Sequence, residues 1–172
     1  MSRLAMTLLS LTLSTPLVAQ QASSTLGIFP KLVGEWEGKA WIVMGPDGRH
    51  DVQQRETVAT AAGGTVITVR GLGVEKLPDG SERTVHDAYA IIHLDHDGTT
   101  PLMRAFTAYN WMDMDLVVND AGYTWRMDDP RAGKIRYEMH LDEQGRWVEQ
   151  GFASRDDGKT WNQFFEMTLT KQ

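Results

Sequence analysis

The stretch Ser154-Arg155-Asp156-Asp157-Gly158-Lys159-Thr160-Trp161 fits the pattern S-x-D-x-G-x-T-W at every fixed position and lies between two apolar, strand-like runs. In such a stretch the Asp side chain accepts hydrogen bonds from backbone N–H groups of a turn, and the glycine supplies a residue with positive φ. Trp161 is then expected to fold back over the turn. The stretch therefore predicts a β-hairpin held by Asp156, Gly158 and Trp161.

Turn signals of the same kind, such as Asp97-Gly98 and Gln144-Gly145, recur along the chain at spacings of about 10–17 residues, with no long helical pattern between them. This spacing is typical of an all-β protein made of consecutive hairpins. A short helical turn is expected around residues 29–33, before the first strand. The predicted strands are 35–44, 51–60, 65–75, 83–95, 102–109, 112–119, 123–128, 134–141, 146–154 and 161–170.

Alternation of apolar and polar residues is clearest in two of these strands, where Ile135 to Leu141 and Met112 to Val118 each place apolar side chains at every second position. One face of each strand is therefore expected to be buried and the other, which includes Asp113 and Asp115, to face solvent. Closure of the hairpins into a barrel removes exposed strand edges. We predict a single antiparallel up-and-down β-barrel of about 8–10 strands, with a β-sandwich as the alternative.

The first residues have the features of a secretory signal peptide. Arg3 precedes an apolar run from Leu4 to Val18, and the small residue Ala19 is followed by a polar stretch. The predicted organisation is a signal peptide at 1–19, a linker at 20–27 and a barrel domain at 28–172. The protein is then exported, to the periplasm or the medium, and has no membrane span after cleavage; a retained anchor is the alternative.

Charge and cysteine content narrow the classes of partner. The formal net charge is −6, and no cluster of Lys and Arg is present, so nucleic acid is not an expected partner. The chain has no Cys, which removes disulfides and thiolate metal sites. Oligomeric state is not indicated by the sequence.

Two motifs resemble those of known families. The hairpin at 154–161 is similar to the Asp box of sialidases and other β-propellers, where its role is structural; a single copy argues against a propeller here. Leu32-Val33-Gly34-Glu35-Trp36-Glu37-Gly38 resembles the start of the first strand in calycins, which include lipocalins and nitrobindin-like barrels. The chain is also similar to uncharacterised bacterial exported lipocalin-like domains over nearly its whole mature length.

The calycin resemblance implies specific structural roles. Gly34 would let the chain enter the barrel floor closely, Trp36 would plug that floor against Lys171, and Gly38 would be a structural residue of the same motif. Nitrobindin-like haem binders place a His close to the C-terminus, but the last predicted strand contains none. No haem or other cofactor is therefore expected.

The histidines do not predict a metal site. His86, His93 and His96 lie on or just after one predicted strand, where side chains alternate, so His93 points away from the other two. His140 alternates with charged residues on a face expected to be wet. We expect no functional metal site.

Polar residues within apolar alternation are the candidate ligand-binding residues. Gln54 and Glu56 share a face with Val52 and Val58, and Arg104 shares one with Leu102, Phe106 and Ala108. If those faces are interior, each buried charge needs a partner or a ligand. The predicted ligand-binding set is Arg104, Glu56, Gln54, Phe106 and Tyr137; a register that puts Arg104 and Glu56 outside is the alternative.

Three functions remain open from the sequence. The first is an exported protein that binds a small, partly apolar molecule in the barrel, with Arg104 and Glu56 as polar anchors. The second is a barrel-cavity enzyme of the lyase or isomerase type, with Glu56 as base and Tyr89 or Tyr109 as acid; nothing in the sequence demands catalysis. The third is a non-enzymatic envelope protein that contacts a partner through Trp111 and Trp125.

Overall fold

The computed structural model describes residues 25–45 and 48–172. Within them, one four-residue helix precedes ten β-strands. The elements are α1 (Phe29–Leu32), β1 (Gly34–Val43), β2 (Arg49–Ala61), β3 (Val66–Lys76), β4 (Glu82–Leu94), β5 (Pro101–Thr107), β6 (Trp111–Val118), β7 (Gly122–Asp129), β8 (Gly133–Leu141), β9 (Trp147–Ser154) and β10 (Asn162–Lys171).

The strands form one closed antiparallel barrel. Each strand pairs with its neighbours along the chain, and β1 also pairs with β10, which closes the sheet. The predicted all-β, up-and-down barrel with a short N-terminal helical turn is confirmed. No observed strand end differs from its predicted position by more than two residues. Turn residues mark the strand ends well because Gly and Asp at the hairpin tips adopt backbone conformations that are unfavourable for most other residues.

The end of the barrel beside α1 is closed. Trp36 on β1 is 2% exposed, and its Nε1 donates a hydrogen bond to the Leu32 carbonyl at 2.7 Å. Lys171 at the end of β10 pairs with Trp36 in the sheet and places Nζ 5.4 Å from the indole centroid. Trp36 therefore packs against Lys171 at this end of the barrel.

Two glycines permit close packing at this floor. A Cβ at Gly34, where φ is +133°, would lie 2.8 Å from the Lys171 Cε atom. A Cβ at Gly38 would collide with the Thr168 carbonyl of β10 and lie 2.9 Å from the Leu169 Cα atom. The structural roles predicted for Gly34 and Gly38 are therefore explained by the approach of β1 to β10.

The hairpin between β9 and β10 has the predicted hydrogen bonds. Asp156 Oδ1 accepts from the Thr160 N–H at 2.8 Å and from the Ser154 hydroxyl at 2.9 Å. Ser154 Oγ in turn accepts from the Gly158 N–H, where φ is +88°. Trp161 Nε1 donates to the Gly158 carbonyl at 3.1 Å, so the indole lies over the turn as expected.

Replacing Asp156 by Ala should lower the melting temperature by a few degrees at pH 7, because the Thr160 N–H loses its acceptor. Hydrogen bonds from Thr160 and Ser154 lower the pKa of Asp156 to about 2. The stability that these hydrogen bonds to the Asp156 carboxylate add should be fully present above the ordinary pKa of Asp and should vanish as the pH falls through about 2. Lys159→Ala, an exposed change in the same turn, is the control; equal melting curves for both variants would contradict the assignment.

The N-terminal region lies partly outside this description. The predicted signal peptide at 1–19 falls outside the described residues, as do residues 20–24 of the predicted linker. Leu26, which the sequence places in the linker, is fully buried in the barrel core. No helix within the described residues is both long and apolar enough to cross a membrane.

Candidate ligand cavity

The barrel interior contains a cavity of about 280 Å³. This is roughly twice the ~150 Å³ of an engineered protein cavity that binds benzene, so it has room for a small organic molecule. Most of the lining is apolar and comes from strands all round the barrel, including Ile42, Val69, Ile92, Met103, Met112, Met114, Met127 and Phe165. The cavity therefore has the mainly hydrophobic wall that is typical of small-molecule sites.

A few polar side chains interrupt this apolar lining near the closed end. They come from strands β2, β4, β7, β8 and β9, whose inward-facing positions converge on the cavity. The group consists of Gln54, Glu56, His86, Tyr123, Tyr137 and Glu149. Three of the group, Gln54, Glu56 and Glu149, are among the few buried polar residues in the described part of the chain.

Glu149 is 6% exposed and accepts hydrogen bonds from three donors. The Tyr123 hydroxyl donates to Oε2 at 2.8 Å, and Trp147 Nε1 donates to the same oxygen at 3.1 Å. Trp125 Nε1 donates to Oε1 at 3.3 Å. Burial raises the pKa of Glu149, while these three donors favour its ionised form and oppose that shift. Glu149 thus fixes the positions of three aromatic side chains.

Glu56 is also 6% exposed but is less completely hydrogen-bonded. Gln54 Nε2 donates to its Oε1 at 2.8 Å, and Oε2 has no hydrogen-bond partner among the described residues. Burial, with a smaller contribution from the charge of Glu149, raises the pKa of Glu56 to about 8. At neutral pH Glu56 therefore holds a proton, and its carboxyl can donate a hydrogen bond into the cavity.

His86 lies beside Glu56, on the far side of Gly71. A Cβ at Gly71 would lie 2.7 Å from Glu56 Oε1 and 2.8 Å from His86 Nε2, so only glycine leaves room for both side chains. Much of the His86 surface remains accessible, yet the surrounding protein removes enough water to lower the pKa of its imidazole. A neutral imidazole and a protonated carboxyl therefore face the same space.

Tyr137 presents an aromatic face and a hydroxyl to the cavity. Its ring stacks on Trp125 with centroids 4.0 Å apart, and Phe165 packs against it at 5.4 Å. The hydroxyl makes no hydrogen bond to any described residue. Burial raises the pKa of Tyr137, so the hydroxyl stays protonated and is a donor for a bound molecule.

The structure places three of the five predicted ligand-binding residues in the cavity and two outside it. Gln54, Glu56 and Tyr137 line the cavity as expected. Arg104 and Phe106 are on the outer face of β5, because Met103 and Ala105 are the inward-facing residues of that strand. The predicted interior position of Arg104, and its pairing with Glu56, are wrong.

Arg104 has an external partner instead. Its guanidinium makes a bidentate ion pair with Asp113 on β6, with distances of 2.6 and 2.8 Å, and lies 4.3 Å from the Trp111 ring centroid. Asp113 and Asp115 are exposed, as their strand alternation predicted. Outside the barrel the Arg104 guanidinium stays hydrated and pairs with a carboxylate. Inside the barrel it would lose its hydration.

Other sequence-based candidates also change place. Tyr89 and Tyr109, predicted as catalytic acids, are 42% and 100% exposed and do not line the cavity. Trp111 is on the surface, but Trp125 is inside the barrel, so they do not form one outer patch. His86, Glu149, Tyr123, Trp125 and Trp147 also line the cavity, and none of them was predicted as a ligand-binding residue.

The histidines of β4 do not converge. His86 lines the cavity, whereas His93 Nδ1 donates a hydrogen bond to the Leu94 carbonyl at 2.6 Å. Across residues 25–45 and 48–172, no group of three or more His, Asp or Glu side chains is arranged to hold a metal ion.

The pairing between β6 and β7 is short. These strands pair only through Asp115–Val118 and Tyr123–Arg126, and not nearer the end opposite α1. Met112 and Met127, beside this gap, line both the cavity and a groove on the outer surface. Met112 and Met127, whose side chains are flexible, therefore lie between the cavity and this groove.

Two solved structures resemble this barrel. The crystal structure of Rv2717c from M. tuberculosis has a TM-score of 0.58 and 14% sequence identity, covering 92% of this chain and 98% of that chain. The structure of the S-type phycobiliprotein lyase CPES from Guillardia theta has a TM-score of 0.55 and 8% identity, covering 84% of this chain and 90% of that chain. No protein family model and no curated protein sequence matches the chain. The likeness is one of fold.

Proposed function

We propose that this protein is an exported lipocalin-like binder of a small, largely apolar molecule, held in the barrel cavity. The proposal rests on the cavity, which has a volume of about 280 Å³. In it the Glu56 carboxyl and the Tyr137 hydroxyl have unused hydrogen-bonding capacity. An apolar wall supplies affinity, and a few convergent polar groups orient the molecule. Arg104, being outside, has no part in it.

The ligand should carry a polar or charged group at one end. Glu56, Gln54 and His86 are grouped at one part of the cavity, whereas Met103, Met112 and Met127 line its other parts. A molecule that leaves Glu56 without a partner would bind less tightly, because nothing would offset the cost of desolvating that carboxyl. This arrangement supports a ligand with one polar end and an apolar body of about one or two rings, given the cavity volume.

Filling the cavity should abolish ligand capture. Ala105 lines the cavity, so Ala105→Phe would occupy the space of the ligand; Ala108→Phe, on the exposed hairpin that follows β5, is the matched control. Native mass spectrometry of protein purified from its own host should show a bound small molecule in the wild type and in Ala108→Phe, and none in Ala105→Phe. Arg104→Met should behave as wild type. Equal occupancy of all four proteins would contradict binding in the barrel.

Export is proposed from the sequence of residues 1–19. Protein recovered from the host should begin at Gln20, because the apolar run ends at the small residue Ala19. Intact mass measurement of the purified protein and fractionation of the host cells test this. A mature chain that retains Met1 and is found in the cytoplasm would remove the exported part of the proposal.

A second candidate function is favoured by one observation. Glu56 holds a proton with a pKa of about 8 next to the His86 imidazole, and an acid and a base of this kind suit proton transfer within a cavity. One structural neighbour is a phycobiliprotein lyase by name. A lyase or isomerase acting on the bound molecule would therefore use Glu56 as acid. The captured molecule, incubated with wild-type protein and with Glu56→Gln, would change mass or structure only with the wild type.

A further inference from the structure

We propose that the molecule bound in the barrel is an organic cation, an amine or a quaternary ammonium compound. This inference rests on the proposed function, because it names the chemical class that the same cavity would take. Two carboxyl groups, Glu56 and Glu149, line the cavity together. No Lys or Arg side chain is among the described residues that line it. A cationic ligand would be the positively charged partner of the Glu56 carboxylate, which the lining itself does not provide.

The aromatic side chains support the same class of ligand. Six rings line the cavity, namely Phe29, Tyr123, Trp125, Tyr137, Trp147 and Phe165. The faces of aromatic rings attract a cation, and this attraction is strongest where water is excluded. Glu149 holds Tyr123, Trp125 and Trp147 in place through three hydrogen bonds. The ring positions are therefore fixed before a ligand binds, which lowers the entropic cost of capture.

Glu56 allows the empty cavity to avoid an uncompensated charge. When the site is empty, its carboxyl is protonated; when a cation arrives, that proton can leave to solvent and the carboxylate pairs with the ligand. The groups that face Glu56 are Gln54 on its own strand, His86 from β4, Tyr123 from β7 and Glu149 from β9. The adjacent β1 and β3 positions hold Trp36 and Gly71, which do not titrate. Glu56 is thus the group placed to release a proton on binding.

The charge of the whole protein acts in the same direction. The formal net charge is −6, so a cation is attracted toward the protein at long range and an anion is repelled. The groove outside the β6–β7 gap is lined by Asp113, Asp115, Asp128 and Asp129 as well as Arg126 and Arg131. Acidic groups are in the majority there. An approaching cation would meet no net repulsion on this side of the barrel.

A matched pair of probes tests the inference on the full mature chain. Phenyltrimethylammonium and tert-butylbenzene have the same shape and differ in the charged nitrogen that replaces a carbon. Isothermal titration at pH 7, in two buffers with different heats of ionisation, gives both the affinity and the number of protons released. A quaternary ammonium carries no proton of its own, so any released proton comes from the protein.

We expect phenyltrimethylammonium to bind about tenfold or more tightly than tert-butylbenzene, with release of about one proton per molecule bound. Glu56→Gln should lose the proton release and most of the preference, while Glu35→Gln, an exposed change on β1, should retain both. Equal or tighter binding of tert-butylbenzene would overturn the cation while leaving a small-molecule cavity. If neither probe binds, the inference falls, and the native mass spectrum of host-purified protein decides separately whether the proposed function stands.

Discussion

Replacing Trp36 by Ala is expected to reduce the free energy of unfolding by about 3–5 kcal/mol, the range measured for truncation of buried Trp and Phe. Trp36 is 2% exposed and packs edge-on against Trp147 with ring centroids 5.7 Å apart. Its removal would leave a void at the floor and would also leave the Leu32 carbonyl without its indole donor. Chemical denaturation monitored by circular dichroism measures the loss.

Trp111→Ala is the matched control for that experiment. Trp111 is 55% exposed and lies on the outer face of β6, where it contacts the Arg104 guanidinium. Its truncation should cost less than about 1 kcal/mol, because little apolar surface is lost from the core. If Trp36→Ala and Trp111→Ala unfold at the same denaturant concentration as the wild type, Trp36 does not close the barrel floor.

The fold was predictable because local and global signals agree. The Asp156 hairpin, the regular spacing of turns and the alternation from Ile135 to Leu141 each indicate consecutive antiparallel strands. The G-x-W motif, through its resemblance to the first strand of calycins, predicts that Trp36 lies at the barrel floor. Each of these signals depends on a few residues close together in sequence, which is why one chain is enough to read them.

The position of Arg104 was less obvious, because β5 has apolar residues on both faces. Leu102 and Phe106 flank Arg104, whereas Met103 and Ala105 form the true inner face. The pairing within the β5–β6 hairpin indicates which face Arg104 occupies. Asp113 was expected in solvent, and the short turn before Trp111 places Arg104 directly opposite Asp113. Two residues that are paired across a ladder share a face, so Arg104 had to be outside with Asp113.

Glu149 was missed for a different reason. Glu149 lies on the same face of β9 as Trp147 and Gly151. A carboxylate among inward-facing residues is the same pattern that predicted Glu56. The role of Glu149 depends on hydrogen bonds from Tyr123 and Trp125 on β7. These residues are distant from Glu149 in sequence, so the contacts could not be predicted from it. The meeting of Glu56, His86 and Gly71 likewise depends on the register of three strands.

Glu56→Gln is expected to stabilise the protein at alkaline pH. Burial raises the pKa of Glu56 from 4.5 to about 8 in the folded protein. Below pH 4.5 the carboxyl is protonated in both states and has no effect on stability through this linkage. Between pH 4.5 and 8 only the unfolded chain releases the proton, so stability falls as the pH rises, and above about pH 8 the slope disappears.

The accumulated loss in the wild type at pH 9 corresponds to roughly 4–5 kcal/mol, given the ordinary value of 4.5 and the raised value of about 8. Gln has the shape and hydrogen-bonding pattern of the protonated carboxyl, and it cannot ionise. Urea unfolding of wild type and Glu56→Gln at pH 5 and pH 9 should therefore show similar stabilities at pH 5 and a clear advantage of the variant at pH 9. Glu35→Gln should show no such pH-dependent advantage. If Glu56→Gln instead differs from wild type by the same amount at both pH values, Glu56 is ionised in the empty barrel, and the cavity already holds its charge without a ligand.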